Sequence, residues 1–349
     1  MSINEKDTSA ILSDINTLSS ILATEVNPVG DLPPHSPAGP SDSDSFYVLS
    51  YLKSDDRKFT VLFHVIVLNR PSPPGPVSLV AISVLDETDQ PPAYYFSKEV
   101  NDFGLGKTEI SADALDIRLY GADRTRPLGV LSGTLDDLKV EGRVNDDHGQ
   151  PKLEIELALH ALGPTFPYLA SGVIPFPGGL NYEYAFPRMV TSGKLIVQGE
   201  LYQVTGTSWF DREWGHVGSA KWTWINIQLN NGIQLAVWDQ QKYDKASNRN
   251  VGGQAFATIL DPQGSITATI VSIEEGSFWT SPDRKRTYAN SWKVVVPGKA
   301  ELKVETLMPG QEIVSIIPRV EAKCTAQGSY DSKDVTGDAF AEVGEIPPF

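Results

Sequence analysis

The chain reads as an all-β protein, two antiparallel barrels or sandwiches in tandem, preceded by one short helix and a linker. Three observations predict this. Between Phe46 and Leu307 apolar residues recur in short runs or at every second position, which is the period of a strand. The breaks between runs draw on 29 Gly and 25 Pro, the residues that punctuate turns. A length of 349 residues exceeds what a single hydrophobic core usually serves. No strict short repeat is visible, which argues against a solenoid or propeller.

Residues 9–26 have the pattern of an amphipathic helix, with Ile11, Leu12, Ile15, Leu18, Ile21 and Leu22 at helical spacing, and Asn27-Pro28 ends it. Residues 29–45 shift to Pro, Gly, Ser and Asp and read as a linker unable to order itself. Strands follow at 59–68, 77–85, 115–119 and 152–161; in the last, Leu153, Ile155, Leu157 and Leu159 alternate with polar residues. Residues 166–187 carry Pro167, Pro175, Pro177, Gly178, Gly179 and Pro187 among several aromatics. That punctuation predicts an irregular connector, lying at a junction between barrels or packing its own aromatics as a surface loop. The strand texture resumes at 194–197, 201–210, 222–229, 233–240, 253–260, 265–273, 292–296 and 301–307. The predicted division is therefore 1–44 for helix and linker, 45–190 for the first barrel and 191–349 for the second.

The net charge of −15 excludes a nucleic-acid partner and an anionic membrane surface, because both need clustered Lys and Arg. The single cysteine, Cys324, has no partner for an intramolecular disulfide, and no Asn-x-Ser/Thr sequon occurs. The first residues carry acids where a signal peptide needs bases, and no apolar run of membrane-spanning length follows, so the expectation is a cytoplasmic protein without membrane insertion. His35, His64, His148, His160 and His216 form no metal-ligand spacing, and there is no G-x-S-x-G elbow. Gly104-Leu-Gly-Lys-Thr108 lacks the first glycine of a phosphate loop and reads as a turn. The chemistry expected is free of metal, nucleotide or other cofactor.

All seven tryptophans fall between Trp209 and Trp292. Asn230-Asn231-Gly232 reads as a three-residue hairpin loop, which pairs 229 with 233, 227 with 235, 225 with 237 and 224 with 238. Ile225, Ile227, Leu229, Ile233, Leu235 and Val237 then share one face. The other carries Trp222, Trp224, Asn226 and Gln228 opposite Gln234, Ala236, Trp238 and Gln240, with no charge between 222 and 238. Indole surface mixed with neutral amides suits the lumen of a ligand-holding barrel better than a solvated face. Upstream, Trp209, Asp211 and Glu213 alternate with Phe210, Arg212 and Trp214. A carboxyl beside indole surface has its neutral form favoured and becomes a general-acid candidate; an Asp211/Glu213–Arg212 ion-pair network is the structural alternative. His64, in Val-Leu-Phe-His-Val-Ile-Val, is either a satisfied core histidine or a polar group inside the first barrel.

These residues also carry a resemblance. Tyr182-x-Tyr184-x-x-Pro-Arg188, Val204-x-Gly-x-Ser-Trp-x-Asp-Arg-Glu-Trp-Gly215, Trp222, Gln228-Leu-x-x-Gly232 and Phe278-Trp-Thr-Ser-Pro with Tyr288 and Trp292 resemble the carotenoid 1,2-hydratase and AttH-like group. The resemblance implies two tandem lipocalin-like barrels with a pocket at or between them. It also implies a choice between hydration of isoprenoid or phenolic double bonds and Diels–Alder-type cyclisation of a natural-product polyene. The leading expectation is a cofactor-independent cyclase that folds a large apolar polyene by shape and hydrogen bonding. A hydratase with Asp211 as acid and a non-catalytic carrier are the alternatives. The resemblance points to Tyr182, Asp211, Trp222, Gln228 and Trp292 as site residues. Register adds Trp224, Trp238, Asn226 and, beside the acid, Trp209.

Overall fold

A computed structural model describes residues 26–346 apart from 37–38, 40–41, 72–73, 102–106, 112–113, 122–124, 147, 177–178, 219 and 245–248. The predicted helix at 9–26 and most of the Gly104–Thr108 turn lie outside the described residues. What is described is almost entirely strand, with a single 3-10 turn at Tyr168–Ala170. Among these residues no helix is long and apolar enough to cross a membrane.

The first sheet comprises β1 (Asp42–Lys53), β2 (Lys58–Pro71), β3 (Pro74–Asp86), β4 (Tyr94–Asn101), β5 (Lys107–Ile110), β6 (Leu115–Tyr120), β7 (Pro127–Thr134), β8 (Asp137–Asn145), β9 (Pro151–Ala161), β10 (Phe166–Pro167), β11 (Val173–Phe176), β12 (Gly179–Val197) and β13 (Glu200–His216). Its order is β4-β3-β2-β1-β13-β12-β9-β8-β7-β6-β5, with β10 and β11 added on β12. The sheet rolls into a half-barrel around Phe46, Phe63, Ile82, Leu131, Leu157 and Phe210. The second sheet comprises β14 (Ala220–Leu229), β15 (Gln234–Asp244), β16 (Arg249–Leu260), β17 (Ile266–Ile270), β18 (Ser272–Glu275), β19 (Phe278–Thr280), β20 (Thr287–Ala289), β21 (Ser291–Val296), β22 (Ala300–Thr306), β23 (Glu312–Ile313), β24 (Arg319–Tyr330) and β25 (Lys333–Glu345), β19 and β20 forming a separate hairpin. Its order is β17-β16-β15-β14-β25-β24-β22-β21-β18. The amide of Val271, between β17 and β18, bonds Ala255 of β16 at 3.1 Å and nearly closes a barrel around Ile225, Val237, Val294 and Val304.

The break between sheets falls between His216 and Ala220, not at the predicted 190/191. Residues 179–216 form one long hairpin turning at Gln198 and Gly199, both with positive φ, and its second strand pairs along β1. Pro167 and Pro175 thus precede the last hairpin of the first sheet, whereas Pro187 lies within β12, at the register shift between Phe186 and Met189. The predicted linker is also partly ordered. Leu32 is buried against the first core, Tyr184 donates to the Pro28 carbonyl at 2.9 Å, and His35 stacks on Trp214. Arg212 donates to the carbonyls of Asp31 and Pro33. Backbone acceptors supply the anchorage that its polar composition could not.

The tryptophan hairpin has the predicted register: Ile227 opposes Leu235, Ile225 opposes Val237 and Trp224 opposes Trp238. Gly232 takes a φ of 87° and bonds back to Leu229. The two faces are distributed differently from the expectation. The aliphatic face fills the second barrel, whereas Trp222, Trp224 and Trp238 lie on its outside. That outer face is dry because the first sheet covers it. Tyr47, Leu49, Leu62 and Trp209 come from one side, and Trp222, Trp224, Trp238 and Phe340 from the other, forming a third core between the sheets. Most of β1, and β13 from Ser208 to Arg212, are consequently buried on both faces. The connector at 166–176 packs into this junction through Phe166, Tyr168, Leu169, Ile174 and Phe176, which selects the first of its two predicted placements.

Candidate active site

A small cavity of about 70 Å³, open to one side, lies within the third core. Its apolar wall is Trp222, Trp224, Trp238, Phe176, Ile66 and Ile317; its polar groups include Ser45, His64, Glu183, Asp211, Glu213, Arg319 and Glu342. Parity explains the set. On β13 the odd residues Trp209, Asp211 and Glu213 face the junction, and on β12 Asn181 and Glu183 do so. Residues β24 and β25 contribute from the other sheet are Arg319, Glu321 and Glu342. Trp222 lies flat on its partner strand because the facing residue is Gly344, where a Cβ would stand 2.3 Å from the ring.

Indole N–H groups hold the acids. Trp209 Nε1 donates to Asp211 Oδ2 at 2.7 Å, Trp238 Nε1 to Glu183 Oε2 at 3.0 Å and Trp222 Nε1 to Glu342 Oε1 at 3.0 Å. Trp224 Nε1 donates to the Tyr168 hydroxyl at 3.0 Å, which donates to Asp211 Oδ1 at 3.0 Å. Asn181 Nδ2 donates to Glu213 at 2.8 Å. None of these donors carries a charge.

The buried cations are engaged elsewhere. Arg319 pairs with Glu321 at 2.8 Å and Glu99 at 3.5 Å, and Arg212 pairs with Asp44 on the opposite face of β13. The predicted Asp211/Glu213–Arg212 network is therefore absent, because consecutive residues of a strand point to opposite faces. Burial holds the Asp211 carboxyl well above the usual carboxylate range against the hydrogen bonds from Trp209 and Tyr168, and Glu213 and Glu342 add repulsion. Glu183 is likewise raised by burial, then by Asp211 and Glu213. Burial and then Glu342 push Glu213 up to about 7; burial and then Glu321 push Glu342 to about 7. His64 is lowered to about 3 by burial and by Arg319, so it is neutral. The cavity thus holds carboxylic acids whose proton affinity burial raises, Glu213 and Glu342 to about neutrality.

His64, Glu321 and Glu342 bring one donor atom each within 4.8 Å of one another, a grouping that histidine spacing alone did not predict. Arg319 stands among them, with Nε on Glu321 and Nη2 3.4 Å from His64 Nδ1, so these donors face a guanidinium.

A family model described as AttH-like matches residues 94–344. The chain belongs to the AttH-like family. Kievitone hydratase from Nectria haematococca superposes with a TM-score of 0.72 at 20% identity, covering 93% of this chain and 94% of its own. A putative AttH from Nitrosomonas europaea gives 0.71 at 17%, covering 93% and 98%, and CghA gives 0.55 at 12%, covering 94% and 97%. These likenesses establish the lipocalin-like fold of this AttH-like chain. In sequence it is 26% identical over 189 residues to the dehydratase asqC of Emericella nidulans, 52% of this chain and 53% of that one. The chain therefore spans about half the length of that relative. Of these, kievitone hydratase and the dehydratase asqC are named for adding or removing water, and CghA is a Diels–Alderase-type neighbour.

Of the residues expected at the site, Asp211, Trp222, Trp224, Trp238 and His64 line the cavity. His64 does so from the outer face of β2, not from inside the first barrel, since Phe63 and Val65 point inward. Trp209 stands behind Asp211 as its hydrogen-bond donor. The other four lie elsewhere. Tyr182 points to the opposite face of β12 and stacks on Trp214, so its neighbour Glu183 takes the cavity position. Asn226 is buried deeper in the junction, accepting from Tyr51 at 3.3 Å, and Gln228 lies beyond it toward the turn, opposite Gln234. Trp292 is packed inside the second barrel. Sequence reasoning missed Glu183, Glu321, Glu342, Arg319, Tyr47 and Tyr168. A signal existed for two: Arg319-Val-Glu321-Ala-Lys323 places three charges at alternate positions of an otherwise apolar strand, and all three are buried.

Proposed function

We propose that this cavity is the active site of a cofactor-independent hydro-lyase. It adds water to an alkene, or removes water from a tertiary or allylic alcohol, on an uncharged substrate whose reacting end is mostly apolar. The observation that carries this reading is Asp211, a buried carboxyl at the wall of a tryptophan-lined cavity, hydrogen-bonded only by neutral donors, so that burial raises its proton affinity. In hydration, Asp211 gives its proton to an alkene carbon and becomes a carboxylate. The tertiary cation this leaves is flanked by indole rings and by acids able to carry negative charge, both of which favour positive charge in a dry site. Water bonds to the cation, and Glu213 or Glu342, each poised near 7, takes the proton that water loses. Proton return to Asp211 completes the cycle, and dehydration is the reverse. Relatives named as hydratase and dehydratase support the same chemistry.

Cycloaddition by shape and hydrogen bonding, foremost among the expectations from sequence, requires no proton transfer and leaves most of this acid set without a task. Asp211→Asn separates the two. For a hydro-lyase, turnover of isoprenoid alkenes or alcohols, followed as incorporation of ¹⁸O and deuterium from labelled water, falls by about 100-fold or more. A cyclase retains most of its rate in the same variant, and that result would refute the hydro-lyase. Substrate binding with no rate above background in the unaltered protein identifies a carrier.

A further inference from the structure

We infer that Tyr168 is a positioning residue, held in one hydrogen-bond direction by Trp224, whose hydroxyl orients Asp211 so that the acid proton faces the cavity. The inference rests on the hydro-lyase reading only for its catalytic consequence. Its basis is the direction in which each donor must act. An indole N–H donates and never accepts. Because Trp224 Nε1 donates to the Tyr168 oxygen at 3.0 Å, the single phenolic proton is left for Asp211 Oδ1, also at 3.0 Å. Trp209 Nε1 occupies Asp211 Oδ2 at 2.7 Å. Both carboxyl oxygens therefore already accept one bond from a fixed, neutral donor. Among the described residues Asp211 donates no hydrogen bond, and with both donors fixed the acid proton is directed to the cavity that Asp211 lines.

The same two bonds steady the carboxylate once the proton has left, and they oppose the upward pull of burial. Tyr168 belongs to neither curved sheet's core. It sits on a turn whose Leu169 and Ala170 take φ of 51° and 61°, and the Leu169 amide donates to Thr258 Oγ1 on β16 at 2.9 Å. The second sheet thus reaches Asp211 twice, through Trp224 and through the anchored turn. Docking of the two sheets is what aims the acid.

The test reads Asp211 directly. Infrared difference spectra over a pH titration, with the band assigned by its loss in Asp211→Asn, report the protonated carboxyl whether or not any substrate turns over. Tyr168→Phe should move the Asp211 titration upward by about one pH unit or more, since a hydrogen bond to the anion is lost. Trp224→Phe, which frees the phenolic proton to turn away, should move it in the same direction by less. With substrate, Tyr168→Phe lowers kcat by about tenfold, leaves KM within about twofold and carries the alkaline limb of the pH profile upward with the infrared titration. An Asp211 band that titrates at the unaltered pH in either folded variant overturns the inference. A shifted band without any hydration or dehydration activity would uphold the hydrogen-bond chain and refute the hydro-lyase instead.

Discussion

Arg212 and Asp211 are adjacent on β13, both buried, and they live under opposite electrostatic regimes. The Arg212 face is compensated: its guanidinium meets Asp44, the carbonyls of Asp31, Pro33, Ser45 and Glu213, and the Phe46 ring 4.1 Å away. Asp44 consequently rises only to about 6, because Arg212 opposes the effect of burial. The Asp211 face has equal burial, but there Asp211, Glu183 and Glu213 meet only indole, phenol and amide donors and form no ion pair, so burial raises their proton affinity. One side of the strand spends its charge on holding segment 26–36 to the first barrel. The other keeps transferable protons next to an apolar cavity. A buried charge that is fully paired serves structure, and a buried acid given only neutral donors is available for chemistry.

The sharpest way to break this contrast is to exchange the consequences of removing each group. Arg212→Met strips the partner from Asp44 and four carbonyls, so denaturant unfolding should show a loss of about 3–5 kcal/mol. Asp211→Asn should cost less, about 1–2 kcal/mol, because the amide keeps the shape of the protonated acid but offers one acceptor where the carboxyl offers two to Trp209 and Tyr168. Equal losses in the two variants would erase the distinction.

A second test uses pH. A carboxyl whose folded value lies above its unfolded one contributes fully below the unfolded value and loses that contribution as pH rises through the folded value. For Glu342, the window runs from the ordinary carboxylate range up to about 7. Glu342→Gln should therefore leave the unfolding free energy at about pH 3.5 nearly unchanged, raise it by under about 1 kcal/mol at pH 5 and raise it by about 2–3 kcal/mol at pH 8. A gain of equal size at every pH would mean that the acid is not titrating in the fold.

The smallest effect separates two tryptophans that composition alone cannot tell apart. Trp292→Phe, inside the second barrel, should cost about 1–2 kcal/mol in thermal unfolding and leave affinity for an apolar probe such as retinol unchanged. Trp238→Phe should weaken that binding by a few-fold, since its ring lines the cavity and its N–H holds Glu183.

Local patterns carried far in this chain. Two-residue periodicity and one Asn-Asn-Gly loop were enough for the hairpin register, for the division of Trp222, Trp224 and Trp238 from Ile225, Ile227 and Val237, and for placing Asp211 opposite Arg212. Parity names two faces without saying what covers either. The tryptophan face was expected in a lumen and lies instead on the outside of a barrel, dry only because strands from over 100 residues earlier pack on it. The same limit explains Tyr182. Motif resemblance marked the right stretch of β12, and a single step along the strand transfers the cavity position to Glu183.

The acid set itself was beyond reach of pattern. Asp211 was visible as a carboxyl beside indoles, but its proton affinity is set by burial between the two sheets and by Glu342 on the other sheet, which raise it, and by Tyr168 on the connector, which lowers it. Strand alternation is a property of neighbouring backbone units, so it is written locally and can be read from order alone. Desolvation and charge repulsion depend on which surfaces meet, and here that is decided by the docking of two sheets across a third core.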